Sequence, residues 1–210
     1  MFQSIFGPAW TLSVYEVYTQ RDGKEYIGKI YDMFNFIMVF SCSGLIFLNI
    51  PLAKFLYSNE FYQAWRYVPA LLISVVFIGV GSCASPLLGA YKKSKLSARG
   101  SIYSAIVNVV LNFVLIRFIG IQGAAIATAI SYFVSWLYNT IQARRLCHFY
   151  INWKKHIFMY VLLVIESIIV LFCRYYWISG VIPMIIIIAC RDNAKHMVYK
   201  VKDMIMSKLG

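Results

Sequence analysis

Residues 106–136 read IVNVVLNFVLIRFIGIQGAAIATAISYFVSW, and Arg117 is the one charged residue among them. The chain stays uncharged on both sides of that Arg, through residues 100–116 before it and 118–143 after it. About 20 apolar residues in a helix are enough to cross a bilayer, and the few residues around Arg117 leave room only for a tight turn. The stretch therefore predicts two antiparallel transmembrane helices that form a hairpin.

The composition extends this prediction to the whole chain. Of its 210 residues, 61% are apolar and 13% are charged, whereas a soluble domain is about 45–50% apolar and about 25% charged. The net charge of +12 is scattered in short clusters between apolar runs, without the basic stripe that nucleic-acid-binding proteins carry. We therefore predict an all-α, polytopic membrane helix bundle and no nucleic-acid partner.

Six apolar runs are long enough to be read as full transmembrane helices. They contain one charged residue, Glu166, and the sixth run is short and includes Pro183. The predicted spans are residues 33–53, 67–91, 100–116, 118–143, 157–173 and 175–190. Pro86 lies inside the second run and predicts a kink there, because proline lacks the N–H that a helix interior needs.

The basic residues alternate in number between successive connections. The segments before, between and after the six runs carry 3, 2, 4, 1, 4, 1 and 5 Lys and Arg residues, so alternate connections hold 16 and 4. Cytoplasmic loops carry the excess of basic residues, and one false or missed span would break the alternation. We therefore predict that the C-terminal tail, residues 192–210, is cytoplasmic.

The start of the chain is uncharged and aromatic-rich for 15 residues. This stretch is too short to span a bilayer and has no basic region of the kind that opens a signal peptide. We interpret residues 1–18 as the inner part of a transmembrane helix, so that the chain begins inside a segment of a longer protein. The alternative is a complete protein with an interfacial or re-entrant N-terminus. Residues 30–145 would then form four spans of one lobe, and residues 156–191 two extra spans.

The sequence contains no arrangement typical of catalysis or of a metal or cofactor site. His148, His156 and His196 all fall in clusters of positive charge, without an HExxH or nucleophile motif. The five Cys residues show no CxxC spacing, which predicts neither a disulfide framework nor a zinc site. We therefore expect a protein that is not an enzyme and that holds no cofactor.

Polar side chains inside the predicted spans mark a candidate pathway, because exposure to lipid would be costly for them. Ser101, Ser104, Asn108 and Asn112 follow one another at spacings of three and four, which places them on one helix face. Two interpretations stay open: Asn108 and Asn112 hydrogen-bond across the hairpin, or they line a hydrophilic cavity. The candidates for the substrate pathway are Asn108, Asn112, Ser131, Tyr132, Ser82 and Ser85.

Charged residues add a second set of candidates. Glu166 is the one acid deep within a predicted span, and it is either a proton- or cation-coupling group or a structural or dimer-contact acid. Arg117 either extends to the interface or contacts substrate. Lys92, Lys93 and Lys95 are predicted to contact anionic lipid headgroups at the inner surface.

Four stretches carry a resemblance to a known family. They are AWTLSVYE at 9–16, NIPLAKFLYSNEFYQAWRYVPALLIS at 49–74, GAYKKSK at 89–95, and residues 106–136 quoted above. Through them, residues 1–145 resemble the C-terminal half of the polysaccharide flippases, which export undecaprenyl-linked oligosaccharide units in bacteria. That family lies within the multidrug/oligosaccharidyl-lipid/polysaccharide exporter superfamily. Residues 146–210 match it only as two further hydrophobic spans.

The resemblance implies the second lobe of a two-lobed, MATE-like transporter in a bacterial plasma membrane. It implies flipping of O-antigen or capsule repeat units, carried on undecaprenyl diphosphate, from the cytoplasmic to the outer leaflet by alternating access. Membrane lipids and polysaccharide assembly proteins are the implied partners. The cations that hold the diphosphate in such flippases lie largely in the other lobe, which implies that this chain is a fragment. The alternatives are a drug or cation exporter of the same superfamily, a membrane enzyme, or a non-transporting subunit of polysaccharide assembly.

Overall fold

A computed structural model describes residues 2–20, 22–56, 59–173 and 176–190, and most of these residues are helical. This confirms the predicted all-α helix bundle. The predicted cytoplasmic tail, with His196, and Arg174 between the last two spans lie outside these described residues.

Nine α-helices and two 3-10 helices are formed in that part of the chain. They are α1 (Phe2–Val17), α2 (Gly23–Phe47), α3 (Asn49–Leu56), a 3-10 helix (Asn59–Arg66), α4 (Val68–Ser82), α5 (Ala84–Ala90), α6 (Ser94–Ile119), α7 (Ile121–Cys147), α8 (Trp153–Phe172), a second 3-10 helix (Tyr176–Gly180) and α9 (Val181–Ala189).

Five helical segments are long and apolar enough to cross a membrane. They are α2, α4 with α5, α6, α7 and α8, of 20 to 27 residues each. The sixth predicted span is shorter than expected, because its apolar helix covers only Trp177–Ala189. At about 1.5 Å per residue, those 13 residues extend for about 20 Å, less than the roughly 30 Å thickness of the hydrocarbon core.

Two of the long runs differ in detail from the prediction. Helix α2, which corresponds to the first predicted span, begins at Gly23, ten residues before that span, and so includes Asp32. It ends at Phe47. The second run divides at Cys83 into α4 and α5. Pro86 explains this break, because it offers no N–H to the carbonyl group of Ser82 one turn earlier.

The two helices α6 and α7 form the predicted tight antiparallel hairpin, with Gly120 as the single connecting residue. Gly120 has a φ of +60°, a conformation that glycine adopts without strain. Gly123 lies so close to the backbone of Leu115 that any added Cβ would overlap it. Near the other end of the hairpin, a Cβ on Gly100 would overlap the side-chain amide of Asn139.

The core lies where α2, α4, α7 and α8 meet. Tyr31, Phe77, Trp136 and Tyr160 are all buried there, and Phe77 packs edge-on against Tyr160 with ring centroids 5.1 Å apart. In contrast, α6 packs mainly on α7: only 6% of its most apolar 18-residue window is buried. One whole side of α6 is therefore left open by the bundle.

Candidate functional site

A stripe of polar side chains follows α6 along the hairpin. It consists of Ser97, Ser101, Ser104, Asn108 and Asn112, spaced by three or four residues so that they share one helix face. Fifteen residues at about 1.5 Å each make this polar stripe about 22 Å long. It therefore covers most of the thickness of a bilayer core on one helix.

The middle of the polar stripe is hydrogen-bonded across the hairpin. The Ser104 hydroxyl donates to the carbonyl oxygen of Ser131 at 2.8 Å, and the Asn108 amide Nδ2 donates to Ser131 Oγ at 3.1 Å. Asn112 bonds within its own helix, from Nδ2 to Asn108 Oδ1 at 3.0 Å. Asn108 therefore makes the bond across the hairpin. Asn112 makes no bond to α7 in the described part of the chain and instead bonds to the side chain of Asn108.

Asn108 and Asn112 also line a shallow, open surface pocket of about 590 Å³, and all of its lining residues belong to α6. Both side chains are half-buried, and Arg117 lies on the same pocket one turn further along α6. The remaining lining is apolar and includes Val109 and Phe113. The hydrogen bond across the hairpin is thus observed for Asn108, whereas the interpretation that the two amides line a hydrophilic cavity stays a prediction, because the rest of this pocket apart from Arg117 is apolar.

The other pathway candidates are distributed around this stripe. The hydroxyl of Ser85 on α5 lies 3.2 Å from that of Ser97 and so joins one end of the polar stripe. Ser82 instead donates to the carbonyl oxygen of Gly79 in its own helix at 2.6 Å. Tyr132 is 38% exposed on α7. Of the six candidates, the fold ties Asn108, Asn112, Ser131 and Ser85 to the stripe by hydrogen bonds.

Of the three lysines predicted to contact headgroups, Lys92 and Lys93 lie in the connection between α5 and α6, and Lys95 lies in the first turn of α6. Lys92, Lys93 and Lys95 are all exposed. Lys92 adopts a left-handed backbone conformation with φ of 56°, and the backbone N–H groups of Lys92 and Lys93 bond back to the end of α5. The cationic cluster is therefore held in a fixed turn at the start of the helix that carries the polar stripe.

Glu166 is completely buried on α8 and receives a hydrogen bond from α2. The Ser43 hydroxyl donates to Glu166 Oε2 at 2.6 Å. Within the described part of the chain, the second oxygen, Oε1, is buried without a hydrogen-bond partner. The acid thus has one structural contact and one oxygen available for a proton or cation, so both predicted roles stay open.

A buried His–carboxylate pair was missed by the sequence reasoning. The His156 side chain is fully buried, and its Nε2 lies 2.7 Å from Asp32 Oδ1. The ring also stacks on Tyr31, with centroids 5.8 Å apart and nearly parallel planes. His156 was assigned to a solvated basic cluster, and the first span was started just after Asp32. The polar residues Asp32 and Asn35, spaced by three on an apolar helix, were the signal that could have revealed the pair.

Further hydrogen bonds connect α2 with α7 and α8. Tyr160 donates its hydroxyl to Asn35 Oδ1 at 2.5 Å. The Trp136 indole N–H donates to the Tyr31 hydroxyl at 2.8 Å, and that hydroxyl lies 3.1 Å from Thr140 Oγ1. These bonds tie α2, α7 and α8 together. Among the residues that the structure describes, no three His, Cys, Asp or Glu side chains group to hold a metal ion.

Comparison with known proteins adds no family to these observations. No protein-family model, no curated protein and no solved structure matches the chain. The resemblance of residues 1–145 to polysaccharide flippases therefore stays a prediction. The features that bear on function are the polar stripe of α6 and the pocket at its end.

Proposed function

We propose that this chain is one lobe of a membrane transporter that flips lipid-linked oligosaccharides across a bacterial plasma membrane. The observation that supports the proposal most strongly is the pocket where Asn108, Asn112 and Arg117 meet on α6. Amide groups and a cation are expensive on a membrane helix and usually line a route for polar cargo. Arginine suits a diphosphate and amides suit sugar hydroxyls, because these groups are matching hydrogen-bond donors and acceptors.

The position of the pocket also fits a two-lobed transporter. Most of α6 is uncovered, and its exposed side includes Val109, Phe113 and Phe118. A second lobe placed against this side would cover these apolar residues and enclose the pocket at Asn108 and Asn112 as a cavity between the lobes. The cavity would then open alternately to either side of the membrane as the two lobes rock.

The order of charges along α6 suggests how the cargo moves. Lys92 and Lys93 precede the helix, Lys95 lies in its first turn, the polar stripe follows, and Arg117 lies near its end. In the orientation indicated by the basic residues, an anionic headgroup would meet the lysines at the inner surface and reach Arg117 near the outer one. The prenyl tail would stay in the surrounding lipid. The proposed partners are thus undecaprenyl-diphosphate-linked oligosaccharide, membrane lipids and polysaccharide assembly proteins.

A drug or cation exporter is the second candidate, and Glu166 is the observation that favours it. A buried acid with one available oxygen is a usual binding group for a cation inside a membrane protein. In that case Glu166, rather than Arg117, would hold the cargo.

A binding experiment with the full chain in lipid nanodiscs separates the two candidates. One probe is a fluorescent monosaccharide linked to a prenyl diphosphate, and the other is the organic cation ethidium. We expect Arg117→Gln to weaken binding of the diphosphate probe by about tenfold or more, as for a lost charged hydrogen bond, and Asn108→Leu to weaken it as well. Lys54→Gln is the matched control, because Lys54 is an exposed cation outside the pocket. Equal binding by all variants would refute the proposal, and ethidium binding that is lost in Glu166→Gln would favour the exporter.

A further inference from the structure

A long apolar groove runs between α4, α7 and α8, on a different part of the bundle from the polar stripe. Its volume is about 1360 Å³. Its lining includes the aromatic residues Phe77, Phe133 and Tyr160. Val164 and Ile168 of α8 also line it. Along α8 the lining extends from Ile157 to Phe172, which is about 22 Å at 1.5 Å per residue.

The residue types in the groove are unlike those of a helix-packing surface. Of the 21 lining residues, three are Ala or Ser and none is Gly. Helices that dock in a membrane use small residues so that their backbones approach closely, as this chain does at Gly100 and Gly123. Branched and aromatic side chains around an open channel instead suit a flexible hydrocarbon chain.

One end of the groove is polar. Arg66 and Trp65 lie there, just before α4, and the Arg66 guanidinium carbon is 5.8 Å from the centre of the Trp65 ring. Gln122, in the first turn of α7, lines the same cavity, and its Oε1 is buried with no hydrogen-bond partner among the described residues. The groove therefore carries a cation and an amide side chain at the same end.

We propose that this groove binds an anionic phospholipid of the surrounding bilayer. The phosphate lies at Arg66, and one acyl chain extends along α8 toward Tyr160. The charge of Arg66 selects this occupant, because a zwitterionic choline headgroup carries no net negative charge. The inference is independent of the proposed transport function.

The test is lipid selectivity, measured by native mass spectrometry of the full chain released from nanodiscs. The nanodiscs contain phosphatidylglycerol and phosphatidylcholine in equal amounts. One basic residue near a membrane surface favours an anionic lipid by about fivefold, so the wild-type chain should retain about five times more phosphatidylglycerol. In Arg66→Gln the ratio should fall to about one, whereas Lys54→Gln, an exposed cation outside the groove, should keep the wild-type ratio.

A second pair of variants tests the groove itself. Ala129→Trp places a bulky ring among the lining residues and should abolish retention of either lipid. Ile130→Trp, at a partly exposed position of the same lining, obstructs the groove with less risk to folding. Ile102→Trp on the open side of α6 is the control and should retain lipid normally.

Three results would overturn the proposal. The first is equal retention of the two lipids by the wild-type chain, and the second is selectivity that survives Arg66→Gln. The third is a dimer that carries no lipid and dissociates in Ala129→Trp, which would show that a second copy occupies the groove.

Discussion

Replacing Gly123 by Ala should destabilise the hairpin of α6 and α7 although it adds a single methyl group. The Cβ of the new residue would overlap the carbonyl group of Leu115 and would lie 2.8 Å from the backbone nitrogen of Ile116. Backbone atoms in a helix cannot rotate away as a flexible side chain can. The two helices must therefore separate.

The expected size follows from the kind of contact. Adding a methyl group to a site with no free space costs about 1–3 kcal/mol. For a chain of about 200 residues, 1 kcal/mol corresponds to about 3 °C in Tm. The midpoint of thermal unfolding should therefore fall by roughly 3 to 9 °C in Gly123→Ala.

The thiol groups of the protein itself provide the assay. Cys42, Cys83, Cys147 and Cys190 are buried, whereas Cys173 is exposed. With Cys173 replaced by Ser, a dye that fluoresces on reaction with thiols should report unfolding of the core during a temperature ramp in detergent. The assay therefore needs no introduced cysteine.

Gly44→Ala is the matched control, because a Cβ at Gly44 in α2 would meet nothing within 4 Å. There the exchange should be neutral or stabilise the helix by about 0.5–1 kcal/mol, since alanine loses less backbone entropy than glycine. If both variants melt at the same temperature, the close approach at Gly123 does not hold the hairpin together and the reasoning fails.

Other single contacts allow further predictions. Trp136→Phe removes the N–H that bonds to Tyr31 and should lower the unfolding free energy by about 1 kcal/mol, measured by the same dye reaction; no change would mean that the bond is not stabilising. Asn108→Leu breaks the bond across the hairpin and should cost about 0.6 kcal/mol in that assay, and a stabilised variant would contradict this. In a chain with Cys173 replaced by Ser, Lys54→Cys should react with an impermeant thiol reagent added to intact cells, and Lys93→Cys only after permeabilisation; the reverse pattern would refute the predicted orientation.

Most of the bundle could be predicted from the sequence, because the hydropathy of consecutive residues decides which segments can cross a membrane. Each long uncharged run must become a helix in lipid, where unpaired backbone groups are costly, and the structure has helices for all of these runs. The hairpin around Arg117 could also be predicted. Two long apolar runs separated by so few residues can be joined only by a tight turn between antiparallel helices. The last span was overestimated because composition alone does not show that residues 176–180 wind into a 3-10 turn against Phe47.

The sequence by itself determined that this is an all-α membrane protein, which segments are apolar, and that α6 carries polar groups on one face. Only the tertiary structure decided which polar groups meet. Asp32 and His156 are 124 positions apart and yet form a hydrogen-bonded pair, and Arg66 and Gln122 share one groove. The physical reason is that burial in lipid requires a polar side chain to find a partner, whereas the packing of helix faces decides which partner is within reach.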